Sequence, residues 1–349
     1  MIQIFTDTSA NLPAAYIQKY SLRVIPLHYS INGVQAEQDP TIDFDGKTYY
    51  DAMRNGAPVS TAMINLAAFL EPLHAALAAG DDVIYIGMSG GISGTAHAAA
   101  MAVQELQEEF PERKIAAIDT YAASLGEGLL VLEAARMLEN GAPFSLIVEQ
   151  ISQRRRTMCQ YFTVDDLAYL ERGGRVSKAA AIVGTVLKIK PLLRGDDEGK
   201  IVQCGKTRGR KQSLTALADF YEKLAADKTE EIGIAHADDE AGAQFLLDAL
   251  RQRGFTGGAA HTLLLYAAFG GEADLAAVAA EAVRQGKTVA YPVCGEGFSL
   301  TAAVPGADGW AVGQYGIHAP VLERSTLLQP EQLDLVLVMS VEPGFGGQK

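Results

Sequence analysis

Glycine and hydroxyl residues are concentrated in one short stretch, residues 87–99, whose sequence is GMSGGISGTAHAA. It follows an apolar run at 83–86 and leads into an alanine-rich run that is typical of a helix. The hydroxyls of Ser89 and Ser93, together with the N–H groups at the start of a helix, can bind an anion. Because the stretch contains no lysine or arginine, it suits one negative charge. A glycine-rich turn that only caps its helix is the alternative.

The sequence contains no complete nucleotide-binding or metal-binding motif. A phosphate-binding loop needs a glycine five residues before Gly-Lys-Thr. That tripeptide occurs three times, and Thr41, Lys200 and Glu281 stand where the glycine is required. Glu71 and His74 form only a fragment of a metal motif, which we interpret as a solvated helix face. With no general base or nucleophile in view, we predict a chain that binds a substrate without activating it, with no cofactor and no metal.

Composition restricts the partners of the chain. The 349 residues are 48% hydrophobic and 20% charged, which is typical of a globular protein of about two to three domains. A net charge of −13 argues against nucleic acid and anionic membranes, since both would be repelled. No apolar run reaches the roughly 18 residues of a membrane span, and the first residues do not resemble a signal peptide. We therefore expect a cytoplasmic protein with no stable membrane insertion.

Apolar strand-like runs alternate with alanine-rich helical runs in the first part of the chain, at 3–5, 24–27, 83–86 and 114–118. This alternation predicts an α/β domain with a largely parallel sheet. Hydroxyl residues follow several of the runs, at 6–13, 89–93 and 119–128, and Ser60 and Thr61 add a further pair. Because the carboxyl ends of parallel strands meet at one edge, we expect a crevice rich in N–H and OH donors there.

A second unit begins near residue 145. A short helix is predicted at 167–172, an apolar stretch covers 179–193, and a turn between strands is predicted at 195–199. A basic cluster then stands out in this acidic chain: Lys206, Arg208, Arg210 and Lys211. It could dock an acidic partner, or it could be a solvated face.

The order of these pieces resembles the DegV family, the fatty-acid-binding proteins of bacteria. The motifs are TDTSANLP (6–13), VSTAMIN (59–65), the stretch at 87–99, DTYAASLGEG (119–128), DDLAYLERGGRVSKAAAIVGTVLKIKPLL (165–193), EGKI (198–201) and KTRGRKQSL (206–214). The resemblance covers roughly residues 1–256. It implies an α/β fold with a parallel-sheet N-terminal domain (1–150) and an α/β second domain (151–257) that hold one long-chain fatty acid, its tail in a buried tunnel. Residues 179–193 could line that tunnel or belong to the core.

The resemblance also implies roles for particular residues. Thr61 and Ser93 would donate hydrogen bonds to the fatty acid carboxylate, with Gly94 and the N–H groups of the helix start beside them. Arg175, Lys206 and Arg208 would contact a separate ATP-dependent fatty acid kinase subunit, which phosphorylates the carboxylate to an acyl phosphate. The chain itself would be a ligand-binding subunit with no catalytic residue.

The family pattern breaks after residue 257. The segment G-x-H-x-G-P-G, whose histidine completes the carboxylate site in the family, is absent. Residues 261–338 instead resemble part of 5-formyltetrahydrofolate cyclo-ligase, with Glu272 as the folate-contacting glutamate, and 334–349 resemble a piece of ribulose-phosphate 3-epimerase. We expect an atypical, partial α/β extension over 258–349. A cyclo-ligase-like enzyme and a DegV-like scaffold with impaired lipid binding are the alternatives, since one lost hydrogen bond to a charged group costs about 1.5–3 kcal/mol.

Overall fold

The computed structural model describes residues 1–41, 44–176 and 189–257, and beyond them the segments 262–264, 283–284, 288–294, 300–305, 310–312, 318–321, 324–328 and 335–336. Two compact units divide the chain, Met1–Gly257 and Gly258–Lys349. The predicted domain boundary at residue 150 stays a prediction.

Three sheets form in the first unit. The strands are β1 (Ile2–Asp7), β2 (Arg23–Ile25), β3 (His28–Ile31), β4 (Val34–Glu37), β5 (Val59–Ala62), β6 (Asp82–Gly87), β7 (Ile115–Asp119), β8 (Tyr161–Thr163), β9 (Ile189–Gly195) and β10 (Ile201–Arg208). Their orders are β2-β1-β6-β7, β4-β3-β5 and β10-β9-β8. The first sheet is parallel throughout, as predicted, and the other two are antiparallel.

Helices connect these strands. They are α1 (Ala14–Lys19), α2 (Gly46–Arg54), α3 (Leu66–Ala78), α4 (Thr95–Glu109), α5 (Leu125–Glu139), α6 (Phe144–Arg154), α7 (Ala168–Arg172), α8 (Arg210–Leu224) and α9 (Glu240–Gln252), with a short 3-10 helix at Thr8–Ala10. Among these described helices, none is long and apolar enough to cross a membrane.

Helices cover both faces of the parallel sheet. Successive strand residues point to opposite faces, so Ile4 packs with Leu130 and Ile147 of α5 and α6. Phe5, the next residue, packs on the other face with Phe69 of α3 and the alanines of α4. This double coverage explains why β1, β6 and β7 are apolar runs rather than alternating strands.

The second antiparallel sheet is also packed on two sides. Leu192 of β9 lies against Leu214 and Leu217 of α8. Leu193, its neighbour, lies on the other side with Leu167, at the start of α7. The predicted short helix at 167–172 and the turn between β9 and β10 are both present.

The sheet formed by β3, β4 and β5 was not predicted. Its hairpin turns at Asn32 and Gly33, which have φ angles of 55° and 79°. These positive values at both central residues are those of a type I′ turn, which Asn-Gly favours. The sheet positions a predicted carboxylate ligand, because β5 carries Ser60 and Thr61, and Thr61 pairs with Tyr29 of β3.

The second unit contains a mixed sheet in its described segments. The strands are β11 (Thr262–Leu264), β12 (Thr288–Cys294), β13 (Leu300–Pro305), β14 (Trp310–Val312), β15 (His318–Pro320), β16 (Ser325–Leu328) and β17 (Leu335–Val336). Five of them pair in the order β16-β13-β12-β11-β17, and β14 pairs with β15. Glu272 lies outside the described residues.

Candidate functional site

The candidate site is built around the segment Gly87–Gly94, which joins β6 to α4 and is called the glycine loop below. The ends of β1, β6 and β7 meet at the same edge of the parallel sheet. Asp119, the last residue of β7, accepts hydrogen bonds from the N–H of Gly90 at 3.0 Å and of Tyr121 at 2.9 Å. One carboxylate therefore fixes the glycine loop and the loop that follows β7.

Close packing explains two of the glycines. A Cβ atom on Gly91 would lie 2.5 Å from the carbonyl carbon of Gly199, in the turn between β9 and β10. The Ser89 hydroxyl donates to the Gly199 carbonyl at 2.8 Å, which joins the same two segments. A Cβ atom on Gly94 would lie 2.7 Å from the Met63 sulfur. The glycine loop is thus in contact with the segment that follows β5 and with the β9–β10 turn.

The predicted carboxylate ligands lie on two segments that contact each other. Thr61 lies on β5 and is exposed, and Ser93 is half-buried before α4. Two contacts connect these segments: the Met63 sulfur packs over Gly94, and the Ile64 N–H donates to Thr95 Oγ1 at 3.3 Å. Thr61 and Ser93, 32 positions apart in the sequence, are therefore held on adjoining pieces of backbone.

The start of α4 offers hydrogen-bond donors. Gly94 is the N-cap residue and supplies no side chain to the helix terminus. Thr95 N–H points to Ser93 Oγ at 3.3 Å, whereas in the described part of the chain the N–H groups of Ala96 and His97 have no acceptor. The positive end of the helix dipole adds to these donors, so this terminus favours an anion.

Thr95 sets the orientation of the Ser93 hydroxyl. Thr95 is fully buried, and its Oγ1 lies 2.9 Å from Ser93 Oγ. Because Thr95 Oγ1 accepts the Ile64 N–H, it can donate its own proton to Ser93. Ser93 then keeps its proton for an acceptor outside this pair. Thr95 was not among the predicted site residues.

Buried carboxyl groups lie behind the site. Ser9 Oγ is 2.5 Å from Asp7 Oδ1 and 2.7 Å from Glu127 Oε2, and the Tyr85 hydroxyl donates to Asp7 Oδ2 at 2.6 Å. Burial, reinforced by the charge of Asp7, holds the pKa of Glu127 well above its ordinary value. The Ser9 hydroxyl therefore lies within hydrogen-bond distance of both carboxyl groups, and the raised pKa favours the neutral form of Glu127.

Arg175, predicted as a partner contact, reaches the glycine loop. Its Nε donates to the Ile92 carbonyl at 3.3 Å, and its Nη1 donates to the Gly173 carbonyl at 2.5 Å. Ile92 directly precedes Ser93 in the sequence, so Arg175 forms a hydrogen bond one residue away from the predicted carboxylate ligand.

The basic cluster divides into two pairs. Arg210 forms an ion pair with Asp239 at 2.6 Å, and Lys211 lies 5.4 Å from the centre of the Phe245 ring. Lys206 and Arg208 are exposed on β10, and within the described residues neither has an ion-pair partner. Two cations of the cluster are therefore engaged inside the chain and two are available to a partner.

The apolar stretch 179–193 is described only from residue 189 onward, and 179–188 lie outside the described residues. Leu192 and Leu193 are 4% and 1% exposed and pack against α8 and the start of α7. These two leucines therefore belong to the core of the second antiparallel sheet.

Glu71 and His74, the fragment of a metal motif, do not form part of a metal site in the described structure. His74 Nε2 lies 3.0 Å from Glu109 Oε1, and both side chains are about half exposed. No group of three His, Cys, Asp or Glu side chains that could hold a metal ion occurs among the described residues.

Comparison with known proteins identifies the family. The family model described as "Uncharacterised protein, DegV family" matches residues 1–285. The chain belongs to the DegV family. It is 34% identical over 251 residues to a DegV domain-containing protein of Clostridium perfringens, covering 72% of this chain and 86% of the relative. A Lactococcus lactis relative is 38% identical over 217 residues, covering 62% of this chain and 75% of the relative.

Solved DegV structures have the same fold. A fatty acid binding DegV family protein from Streptococcus agalactiae is 31% identical, with a TM-score of 0.65, covering 73% of this chain and 89% of that one. DegV of Bacillus subtilis, described as a fatty acid binding protein, is 28% identical with a TM-score of 0.62 and the same coverage. The α/β fold predicted from the DegV resemblance is confirmed.

The comparisons bear differently on the two resemblances predicted for the C-terminal part of the chain. The DegV match extends to residue 285, beyond the predicted limit of 256, and includes Glu272. A weak match to the ribulose-phosphate 3 epimerase family covers residues 316–349, a longer segment than the predicted 334–349. The cyclo-ligase resemblance stays a prediction.

Proposed function

We propose that this DegV protein binds a long-chain fatty acid and holds its carboxylate with Thr61, Ser93 and the N–H groups beside Gly94. The contact between the glycine loop and the residue that follows β5, through Gly94 and Met63, carries the proposal. Relatives above 25% identity whose structures are described as fatty acid binding support the ligand class.

Neutral donors suit this ligand. A carboxylate is a planar monoanion whose oxygens accept hydrogen bonds from hydroxyl and N–H groups. The Ser93 proton is free for the ligand because Thr95 can donate to Ser93 Oγ. The apolar tail supplies most of the affinity, since each buried CH₂ contributes about 0.8 kcal/mol. We place the tail in the second domain, residues 151–257.

Extraction of the purified protein tests the proposal. Mass spectrometry of the organic extract should reveal co-purified fatty acid in about one equivalent, and Thr61→Ala combined with Ser93→Ala should lower its amount at least about tenfold. Ser145→Ala, at an exposed serine at the start of α6, is the matched control and should retain the lipid. An extract without fatty acid would instead favour a scaffold with impaired lipid binding.

We further propose that Arg175, Lys206 and Arg208 contact an ATP-dependent fatty acid kinase that phosphorylates the bound carboxylate. The free cations on β10 support docking of an acidic surface, and the bond from Arg175 to Ile92 supports a contact close to the carboxylate. The chain then presents the substrate, and the kinase catalyses the reaction.

Acyl phosphate formation tests the partner. With a purified bacterial fatty acid kinase, ATP and oleate, hydroxylamine traps the product as a hydroxamate. The double variant Lys206→Glu with Arg208→Glu should still bind oleate but lose most of the hydroxamate product. The control Lys223→Glu, on α8, should bind oleate and form product as the wild type does. Loss of oleate binding in the double variant, or unchanged product, would contradict this role.

A cyclo-ligase activity is not proposed, because the DegV match includes Glu272. Consumption of 5-formyltetrahydrofolate with ATP is expected to be absent.

A further inference from the structure

A cavity of about 290 Å³ lies within Met1–Gly257, and the described residues that line it are outside the glycine loop. The loop after β7, the segment that leads into β8, and the end of β9 form its walls. It is called the arginine cavity because three of its lining residues are arginines; the charged and aromatic residues that line it include Tyr121, Arg155, Arg156, Arg194, Asp196 and Asp197.

Arg155 is fixed in place and has an unused donor. Its Nη1 donates to the Asp119 carbonyl, and its guanidinium carbon lies 4.4 Å from the centre of the Tyr121 ring. Its Nε atom is buried and has no hydrogen-bond partner among the residues that the structure describes. An unsatisfied buried donor on a charged group is costly, and an anion in the cavity would offer the acceptor that is missing.

Arg156 and Arg194 are also open to a ligand. The Arg156 side chain is exposed and lies 5.8 Å from the same Tyr121 ring. Arg194 donates one hydrogen bond from Nη1 to the Gly195 carbonyl at 3.0 Å. Within the described part of the chain, none of these three arginines forms an ion pair. Three unpaired guanidinium groups around one cavity contrast with a net charge of −13 for the chain.

The two aspartates do not neutralise the arginines directly. Asp196 Oδ1 accepts the N–H groups of Glu198 and Lys200, both at 2.9 Å, so this carboxylate closes the turn between β9 and β10. Asp197 is exposed on the same turn. Their charges nevertheless lower the positive potential at the rim, so a ligand must bring strong acceptors of its own.

Part of the cavity lining is aromatic or apolar. Tyr161, the cross-strand partner of Arg194, stacks on Phe220 with ring centroids 4.9 Å apart, and Met158 and Leu224 also line the cavity. A ligand with a charged group and a small apolar group would therefore match the lining.

We propose that the arginine cavity binds a phosphate monoester through Arg155, Arg156 and Arg194. A carboxylate offers two acceptor oxygens, whereas a phosphate monoester offers three and close to two negative charges. The guanidinium fork matches this geometry better than any other side chain. The proposal concerns a site separate from the fatty acid carboxylate and does not depend on lipid binding.

Calorimetric titration with phenyl phosphate tests the inference, with benzoate as the carboxylate analogue. Phenyl phosphate should bind and raise the melting temperature, and it should bind at least about tenfold more tightly than benzoate. Arg156→Ala with Arg194→Ala should weaken phenyl phosphate binding at least about tenfold. Arg251→Ala, at an exposed arginine of α9, is the matched control and should bind as the wild type does.

Arg155 is left unchanged because it supports the Asp119 carbonyl. If the double variant does not fold, Arg156→Ala alone, at an exposed position, should weaken binding at least about threefold. No heat and no stabilisation with phenyl phosphate, equal binding of benzoate, or wild-type affinity in the arginine variants would overturn the proposal.

Discussion

The glycine loop and the arginine cavity offer an anion different partners, although both lie near the end of β7. The glycine loop provides a serine hydroxyl and helix N–H groups, and it packs so closely on the Gly199 backbone that Gly91 has no room for a side chain. The arginine cavity provides about 290 Å³ of space and three guanidinium groups that form no ion pair with any described residue. Asp119 connects them, since its carboxylate fixes the glycine loop and its carbonyl accepts from Arg155.

The difference indicates two kinds of ligand. Neutral donors with a fixed geometry favour a monoanion whose affinity comes mainly from an apolar tail. Guanidinium groups around an open space favour a more highly charged group.

The largest expected effect comes from Gly91→Ala. The added Cβ would meet the backbone of Gly199, which cannot move away as a flexible side chain could, so we expect the free energy of unfolding to fall by about 3 kcal/mol. Urea denaturation measures this change. Gly46→Ala is the matched control, because its Cβ would be 3.6 Å from Tyr50, an ordinary contact. Equal stability of the two variants would refute the close packing described for the glycine loop.

Thr95→Ala should have the next largest effect. The substitution leaves the Ile64 N–H without its acceptor, which is expected to lower the free energy of unfolding by about 2 kcal/mol. It also removes the donor to Ser93, so fatty acid affinity should fall. Thr95→Ser keeps the hydroxyl and should restore both properties. A serine variant as impaired as the alanine variant would show that the methyl group, not the hydroxyl, matters.

Glu127→Gln should change the pH dependence of stability. The folded-state pKa of Glu127 is raised by burial, so its protonated form stabilises the fold fully below about pH 4.5. That stabilisation is lost as pH rises toward the folded-state pKa. Glutamine carries no charge, so the variant should lose less stability than the wild type between pH 5 and pH 8 in urea denaturation. Identical pH profiles would contradict a protonated Glu127.

The smallest effect is expected for Arg210→Gln, which removes the partly exposed ion pair with Asp239. Such pairs contribute about 0–1 kcal/mol, so thermal unfolding should change little. Because Arg210 is engaged inside the chain, acyl phosphate formation with the kinase should also remain close to wild type. A loss as large as that of Lys206→Glu with Arg208→Glu would show that the whole basic cluster docks the partner.

The sequence predicted the parallel sheet because β1, β6 and β7 are packed on both faces and contain mainly apolar residues. The hairpin of β3 and β4 was missed because its strands are short and partly exposed, although Asn32-Gly33 is a strong turn signal. The contact between Met63 and Gly94 could not be predicted from spacing, since the residues are 31 positions apart and meet only through tertiary packing.

Buried polar groups were also beyond the sequence analysis. Asp7 and Glu127 both follow capping patterns at strand and helix ends, where such residues are usually exposed. Both carboxyl groups lie within hydrogen-bond distance of Ser9 Oγ because α5 packs against β1. That packing is a property of the fold and not of the local sequence.

The most direct test of the account compares hexadecanoate with hexadecan-1-ol, which has a tail of equal length and no charge. The wild type should bind hexadecanoate at least about tenfold more tightly, and Ser93→Ala should reduce this ratio by roughly tenfold, because the hydroxyl acts on the carboxylate alone. If the ratio of the two dissociation constants is the same in the wild type and the variant, the glycine loop does not hold the carboxylate.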